Sequence, residues 1–117
     1  MTLQIGEQKD SDLTILTLAG RLDAVTSPDF EHRLDQLMAG GCKGLVIDFE
    51  RLDLIVSAGL RVFLAFAKKC KRSGGRMALC RMRPAVLDVF QIAGFTEILA
   101  IFPTREEAVR SILPGPA

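Results

Sequence analysis

Tryptophan and tyrosine are absent from this chain, and histidine occurs once. Without the large amphipathic aromatics, platforms for stacking single-stranded nucleic acid are poorly stocked. The lone His32, set among charges in Glu31-His32-Arg33, is too little for a histidine-based metal site or a serine triad, and reads as a solvated side chain. A charge of one sign is also missing. The formal net charge is +1, whereas nucleic-acid binders carry the basic excess that phosphate neutralisation demands. The cysteines Cys42, Cys70 and Cys80 are odd in number and widely spaced. That fits neither a disulfide framework nor a zinc pattern, and reduced thiols in the cytoplasm are expected. The longest apolar run, Val62 to Ala67, falls far short of the roughly 20 residues of a membrane span. Met1-Thr2-Leu3-Gln4 has neither a basic nor an apolar leader region, so no signal peptide is expected.

What is present suits a globular domain. The chain has 117 residues, 49% of them hydrophobic and 25% charged, enough apolar surface for a core and room for about one domain, taken as residues 1–117. Pro114-Gly115-Pro116-Ala117 reads as a frayed tail. Leu3–Gln8 and Leu13–Leu18 read as strands of an antiparallel hairpin around the polar turn Lys9–Asp12, with Gly20 ending the second. Thr26-Ser27-Pro28-Asp29 has the hydroxyl, early proline and acid of a helix start. The helix carries Phe30, Leu34, Leu37 and Met38 to Gly40-Gly41. Leu45-Val46-Ile47 reads as a buried central strand, and Glu50–Val56 as the connection to a helix from Ser57 to about Ser73, lined by Leu60, Phe63, Leu64 and Ala67. Met77–Cys80 is the next strand. Pro84 opens a helix carrying Val86, Leu87, Phe90 and Ile92, and Ile98–Phe102 is a last strand. Thr104-Arg105-Glu106-Glu107 matches a capping box before a final helix. The order β-β-α-β-α-β-α-β-α implies an α/β fold: a mixed sheet, largely parallel after the hairpin, covered by about four helices.

Leu54-Ile55-Val56-Ser57-Ala58-Gly59-Leu60-Arg61 is the most informative segment. It puts a hydroxyl where a loop becomes a helix, beside unpaired N–H groups and a partial positive charge. Ser57 is there either a plain N-cap or an acceptor of phosphate, which the helix start would tolerate and an apposed partner would not. No Gly-x-Ser-x-Gly elbow surrounds it, which speaks against a catalytic nucleophile. Gly20-Arg21-Leu22-Asp23 reads as a turn, and it lacks the features of a phosphate loop. Asp48, near the end of the central strand, reads either as a site carboxylate or, more simply, as ending its strand or facing solvent. Arg61, Lys68 and Arg72 form a basic stripe on the Ser57 helix, suited to steering an acidic partner. No enzyme activity, cofactor or metal is expected.

Taken in order, Gly20-x-Leu22-Asp23, Leu45-Val46-Ile47-Asp48, Ser57-Ala58-Gly59-Leu60, Gly74-Gly75, Pro84-Ala85-Val86, Ile92-Ala93-Gly94-Phe95 and Glu106-Glu107-Ala108 resemble a STAS domain of the anti-sigma-factor antagonist family over nearly the whole chain. The resemblance implies a regulatory module of partner switching. It would bind an ATP-dependent anti-sigma factor that is also a serine kinase, be inactivated by phosphorylation, and be restored by a metal-dependent serine phosphatase. The family's phosphorylated serine falls on Ser57. Its partner surface falls on Arg21, Asp23 and Thr26 around the turn, and on Val56, Ser57, Ala58, Gly59 and Arg61 at the helix start. Where the family often has Asp or Ser ahead of the serine, this chain has Val56, which removes like-charge repulsion beside a phosphate. The alternative implied is a STAS subunit of another assembly, stressosome-like or lipid-transporting, in which Ser57 is never phosphorylated.

Overall fold

The computed structural model describes residues 2–10 and 12–113; Ser11 of the expected turn and the 114–117 tail lie outside the described residues. Ten elements follow in order: β1 (Leu3–Asp10), β2 (Leu13–Leu22), α1 (Ser27–Ala39), β3 (Gly44–Ile55), α2 (Ser57–Arg72), β4 (Arg76–Cys80), α3 (Pro84–Ile92), a 3-10 turn at Phe95–Glu97, β5 (Ala100–Phe102) and α4 (Arg105–Ile112). The five strands lie side by side in chain order. β1 and β2 pair antiparallel, and every later pair is parallel. This is the mixed α/β sheet expected from the alternation of elements.

Strand alternation sends successive side chains to opposite faces, and the two faces carry separate cores. Leu16, Leu18, Leu45, Ile47, Phe49 and Leu79 meet α1, α2 and α3 on one side. Leu13, Ile15, Val46, Ala78 and Cys80 meet Ala108, Val109 and Ile112 of α4 on the other. Four fully buried phenylalanines centre the larger core: Phe63 lies 5.2 Å from Phe30, 5.3 Å from Phe49 and 5.8 Å from Phe90, ring to ring. Such tilted and edge-on pairs add to what area burial contributes.

Three boundaries depart from expectation. β2 does not stop at Gly20. Gly20 takes a φ of 108° beside a register shift, and a Cβ there would strike the Thr2 carbonyl oxygen. A left-handed glycine thus makes a bulge, and pairing resumes at Arg21 and Leu22. β3 likewise runs through the stretch read as a connection, with Ala19 opposite Arg51 and Leu22 opposite Ile55, burying Phe49, Leu52 and Ile55. The last strand is shorter than expected, because Phe95–Glu97 coils into a turn and Ile98 stays 60% exposed. Ile92 of α3 is 87% exposed, since a residue two positions from the inward Phe90 lies on the opposite side of a helix.

Candidate functional site

The two motifs singled out in the sequence meet at the carboxyl ends of the adjacent parallel strands β2 and β3. Arg21 pairs with Leu54 and Leu22 with Ile55, and the Val56 N–H donates to the Leu22 carbonyl at 3.1 Å. This is the edge of an α/β sheet where binding sites collect. Gly59 lets α2 begin so close to β2: a Cβ on it would sit 2.8 Å from Leu22 Cγ and 3.0 Å from Ile55 Cγ1.

The β2–α1 turn is tied internally. Asp23 Oδ1 accepts the N–H groups of Val25 and Thr26, both at 3.0 Å. The Thr26 hydroxyl accepts the Asp23 N–H at 3.0 Å and donates to the Arg21 carbonyl at 2.9 Å. Thr26 is 8% exposed, so it shapes the turn while Arg21, Ala24 and Val25 stand out from it. The Thr26 N–H, ahead of opposing burial and the Val25 N–H, holds the Asp23 carboxyl below its ordinary range.

Ser57 is not the N-cap. Val56 has the extended cap conformation, φ −120° and ψ 178°, and no side chain caps the helix. The Val56 carbonyl accepts the Gly59 and Leu60 N–H groups at 2.9 and 3.1 Å. Ser57, exposed, is the first helical residue, and among the described residues its hydroxyl makes no hydrogen bond and the Ser57 and Ala58 N–H groups have no partner. With no acid in the first turn and Lys69, Lys71 and Arg72 in the last, the positive end of this helix is not offset by any side chain of its own.

Ala58 and Arg61 lead from there into a groove of about 620 Å³ between α1 and α2, along which Lys68 and Arg72 also lie. An ion pair between Lys69 and Asp35 at 3.1 Å bridges the two helices. The basic stripe therefore starts beside the exposed serine. His32 is exposed on α1.

Asp48 corrects its expectation. It neither ends β3 nor faces solvent; it is 2% exposed, on the α4 face of the sheet. Burial pushes its carboxyl up, and the Glu50 N–H with the Arg105 and Arg81 guanidiniums outweighs that and holds it below the ordinary range. The partners lie 33 and 57 residues away. The only local signal was that Asp48 shares a strand face with the apolar Val46.

A family profile described as STAS domain matches residues 5–108. The candidate anti-sigma factor antagonist BtrV of Bordetella bronchiseptica is 34% identical over 106 residues, 91% of each chain. The anti-sigma F factor antagonist of Paenibacillus polymyxa is 28% identical over 113 residues, 96% of this chain and 97% of that one. Among solved structures the chain is similar in fold to SpoIIAA of Bacillus in its phosphorylated form, with 22% identity, a TM-score of 0.71, and 96% and 100% of the two chains covered. No helix among the described residues is long and apolar enough to cross a membrane.

Proposed function

The chain belongs to the STAS domain family, and on that premise we propose that it is an anti-sigma factor antagonist whose binding is switched off by phosphorylation of Ser57. One domain carries this function. Its partner is an anti-sigma factor that is also a serine kinase, and a metal-dependent serine phosphatase reverses the modification. The protein itself performs no catalysis.

The supporting observation is the state of Ser57: exposed, first in a 16-residue helix, its hydroxyl uncommitted and its neighbouring N–H groups open. A phosphate there adds about −1.5 to −2 charges where the helix end favours an anion, so the fold survives. The surface meeting a partner changes sign locally. Arg21 stands on the neighbouring strand end and Arg61 one turn along the helix, Asp23 and Thr26 shape the turn, Gly59 lets α2 start close against Leu22, and Val56 and Ala58 supply apolar area. A similar protein, SpoIIAA, has a phosphorylated form, and two relatives carry antagonist names.

Ser57→Asp tests the reading. It is expected to unfold within about a degree or two of the wild type, an acid at a helix N-terminus being mildly favourable. When used as bait in host lysate, it is expected to lose an anti-sigma kinase that the wild type retains. After incubation of wild type with that kinase and ATP, tandem mass spectrometry is expected to find phosphate on Ser57, and none on Ser57→Ala. Retention of one non-kinase assembly by both baits would instead identify a STAS subunit that is not phosphorylated.

A further inference from the structure

Helix α4 packs on β3, β4 and β5. Beside it, on the same face of the sheet, lies a cavity of about 470 Å³ lined by residues of β1, β2 and β3. Its floor is small and polar: Gln4, Gly6 and Thr17. A Cβ on Gly6 would strike the Thr17 hydroxyl, so a larger residue there would cover the floor. Three arginines line the rest, Arg51 from β3, Arg81 from the loop after β4 and Arg105 from the start of α4.

Two of these guanidiniums are held in place. Asp48 Oδ2 accepts Arg105 Nε at 3.1 Å and Nη2 at 2.9 Å. Arg81 Nε reaches both Asp48 oxygens, at 3.2 and 3.1 Å, and its Nη1 pairs with Glu50 at 3.1 Å. Arg81 is also the one non-glycine residue with positive φ, 59°, among the described residues. A side chain other than glycine tolerates that conformation only when its surroundings enforce it, and such residues gather at ligand clamps. The Asp48 carboxylate further accepts the Glu50 N–H at 2.9 Å, which leaves it little capacity for anything else. By contrast, Arg105 Nη1 and the whole Arg51 guanidinium have no hydrogen-bond or ion-pair partner among the described residues. Three guanidiniums face two carboxylates, an excess of one positive charge in a space of the size small-molecule sites have.

We propose that this cavity binds a small phosphate-bearing anion, free phosphate or a phosphate monoester, gripped by Arg105 and Arg51 above the Thr17 hydroxyl. The planar fork of an arginine matches two oxygens of a tetrahedral oxyanion. Fixing Arg105 and Arg81 through a buried carboxylate removes the ordering cost that free arginines would carry on binding. The site is separate from Ser57, whose helix covers the opposite face.

The test is an NMR titration of the full chain with inorganic phosphate and, in a second arm, glycerol phosphate, against sodium chloride at matched ionic strength. Saturable shifts are expected in the Gly6 and Thr17 amides and the Arg105 side-chain N–H. Arg51→Gln, which does not touch Asp48, is expected to weaken binding about tenfold through loss of one charge-assisted pair, with the melting temperature unchanged. Tighter binding of the ester would mark a phosphorylated metabolite as the ligand, and equal binding free phosphate. Shifts that never saturate, unchanged affinity in Arg51→Gln, or shifts centred on Ser57 and Ala58 would each overturn the proposal.

Discussion

Gly59 and Asp48 are single residues on which whole contacts depend, for opposite reasons. Gly59 matters for what it lacks. Ordinarily an alanine in a first helical turn helps, but here its Cβ would lie 2.8 Å from Cγ of the fully buried Leu22. Gly59→Ala is therefore expected to cost about 2 kcal/mol through overpacking, read as a lower urea midpoint with an unchanged slope. Asp48 matters for its charge. Its folded pKa is lowered, so its contribution to stability is present above its unfolded value of about 3.9 and is lost as pH falls through the folded value. Wild type should lose stability progressively in that acid range. Asp48→Asn should be weaker near neutrality by about 2 kcal/mol, since two part-exposed guanidiniums lose their partner, and the gap should close as pH falls. A gap independent of pH would show that the ion pairs contribute nothing.

At the scale of elements, the helices lie where their local signals put them, but of the hydroxyls expected to cap them only Thr104 does so, and the strand ends run past their signals. α4 begins with half of its capping box: the Thr104 hydroxyl accepts the Glu107 N–H at 3.2 Å, while the Glu107 carboxylate takes the Thr104 hydroxyl at 3.1 Å rather than the Thr104 N–H. Thr104→Ala is expected to cost about 1 kcal/mol, with hydrogen exchange of α4 amides rising before those of β3. A uniform rise would mean that α4 does not open separately. α2 shows a boundary that composition cannot fix. A serine next to a helix suggests a cap, yet Val56 occupies the cap because its N–H must reach the Leu22 carbonyl across the sheet. The extensions of β2 and β3 have the same origin. Past Gly20 and Asp48 the partner that keeps each chain extended is the other strand, and no local propensity reveals that.

For the molecule as a whole, the two cores dictate which thiols are reachable. Burial, with the Asp48 charge next, pushes Cys80 up to about 12, and burial raises Cys70 as well. Cys42 is half-buried. A thiol reagent at neutral pH is expected to modify Cys42 in the native protein and all three cysteines only in denaturant; rapid native labelling of Cys80 would mean that the α4 layer opens readily. The same two-faced architecture separates the proposed activities, with the switch at the carboxyl end of β2 and β3 beside α1 and α2, and the arginine-lined cavity on the α4 face.

The sequence alone determined the order of elements, the mixed sheet, the inward Phe30, Leu34 and Leu37 of α1, and the place of Ser57 at a helix start. These depend on periodicity, caps and glycines, whose physics acts within a few residues. Of the α2 face the sequence marked Leu60 and Phe63 but not Val62, Phe66 and Cys70, and Leu64 lines the groove instead. Only the tertiary structure decided that Ser57 is uncapped and its hydroxyl free, that Thr26 is spent inside its turn, and that Asp48 is buried between Arg81 and Arg105. Thr26 is tied to Arg21 and Asp23 within its own turn, whose geometry residue types alone do not specify, whereas Val56 and Asp48 are fixed by partners that the sheet brings from 33 or more residues away.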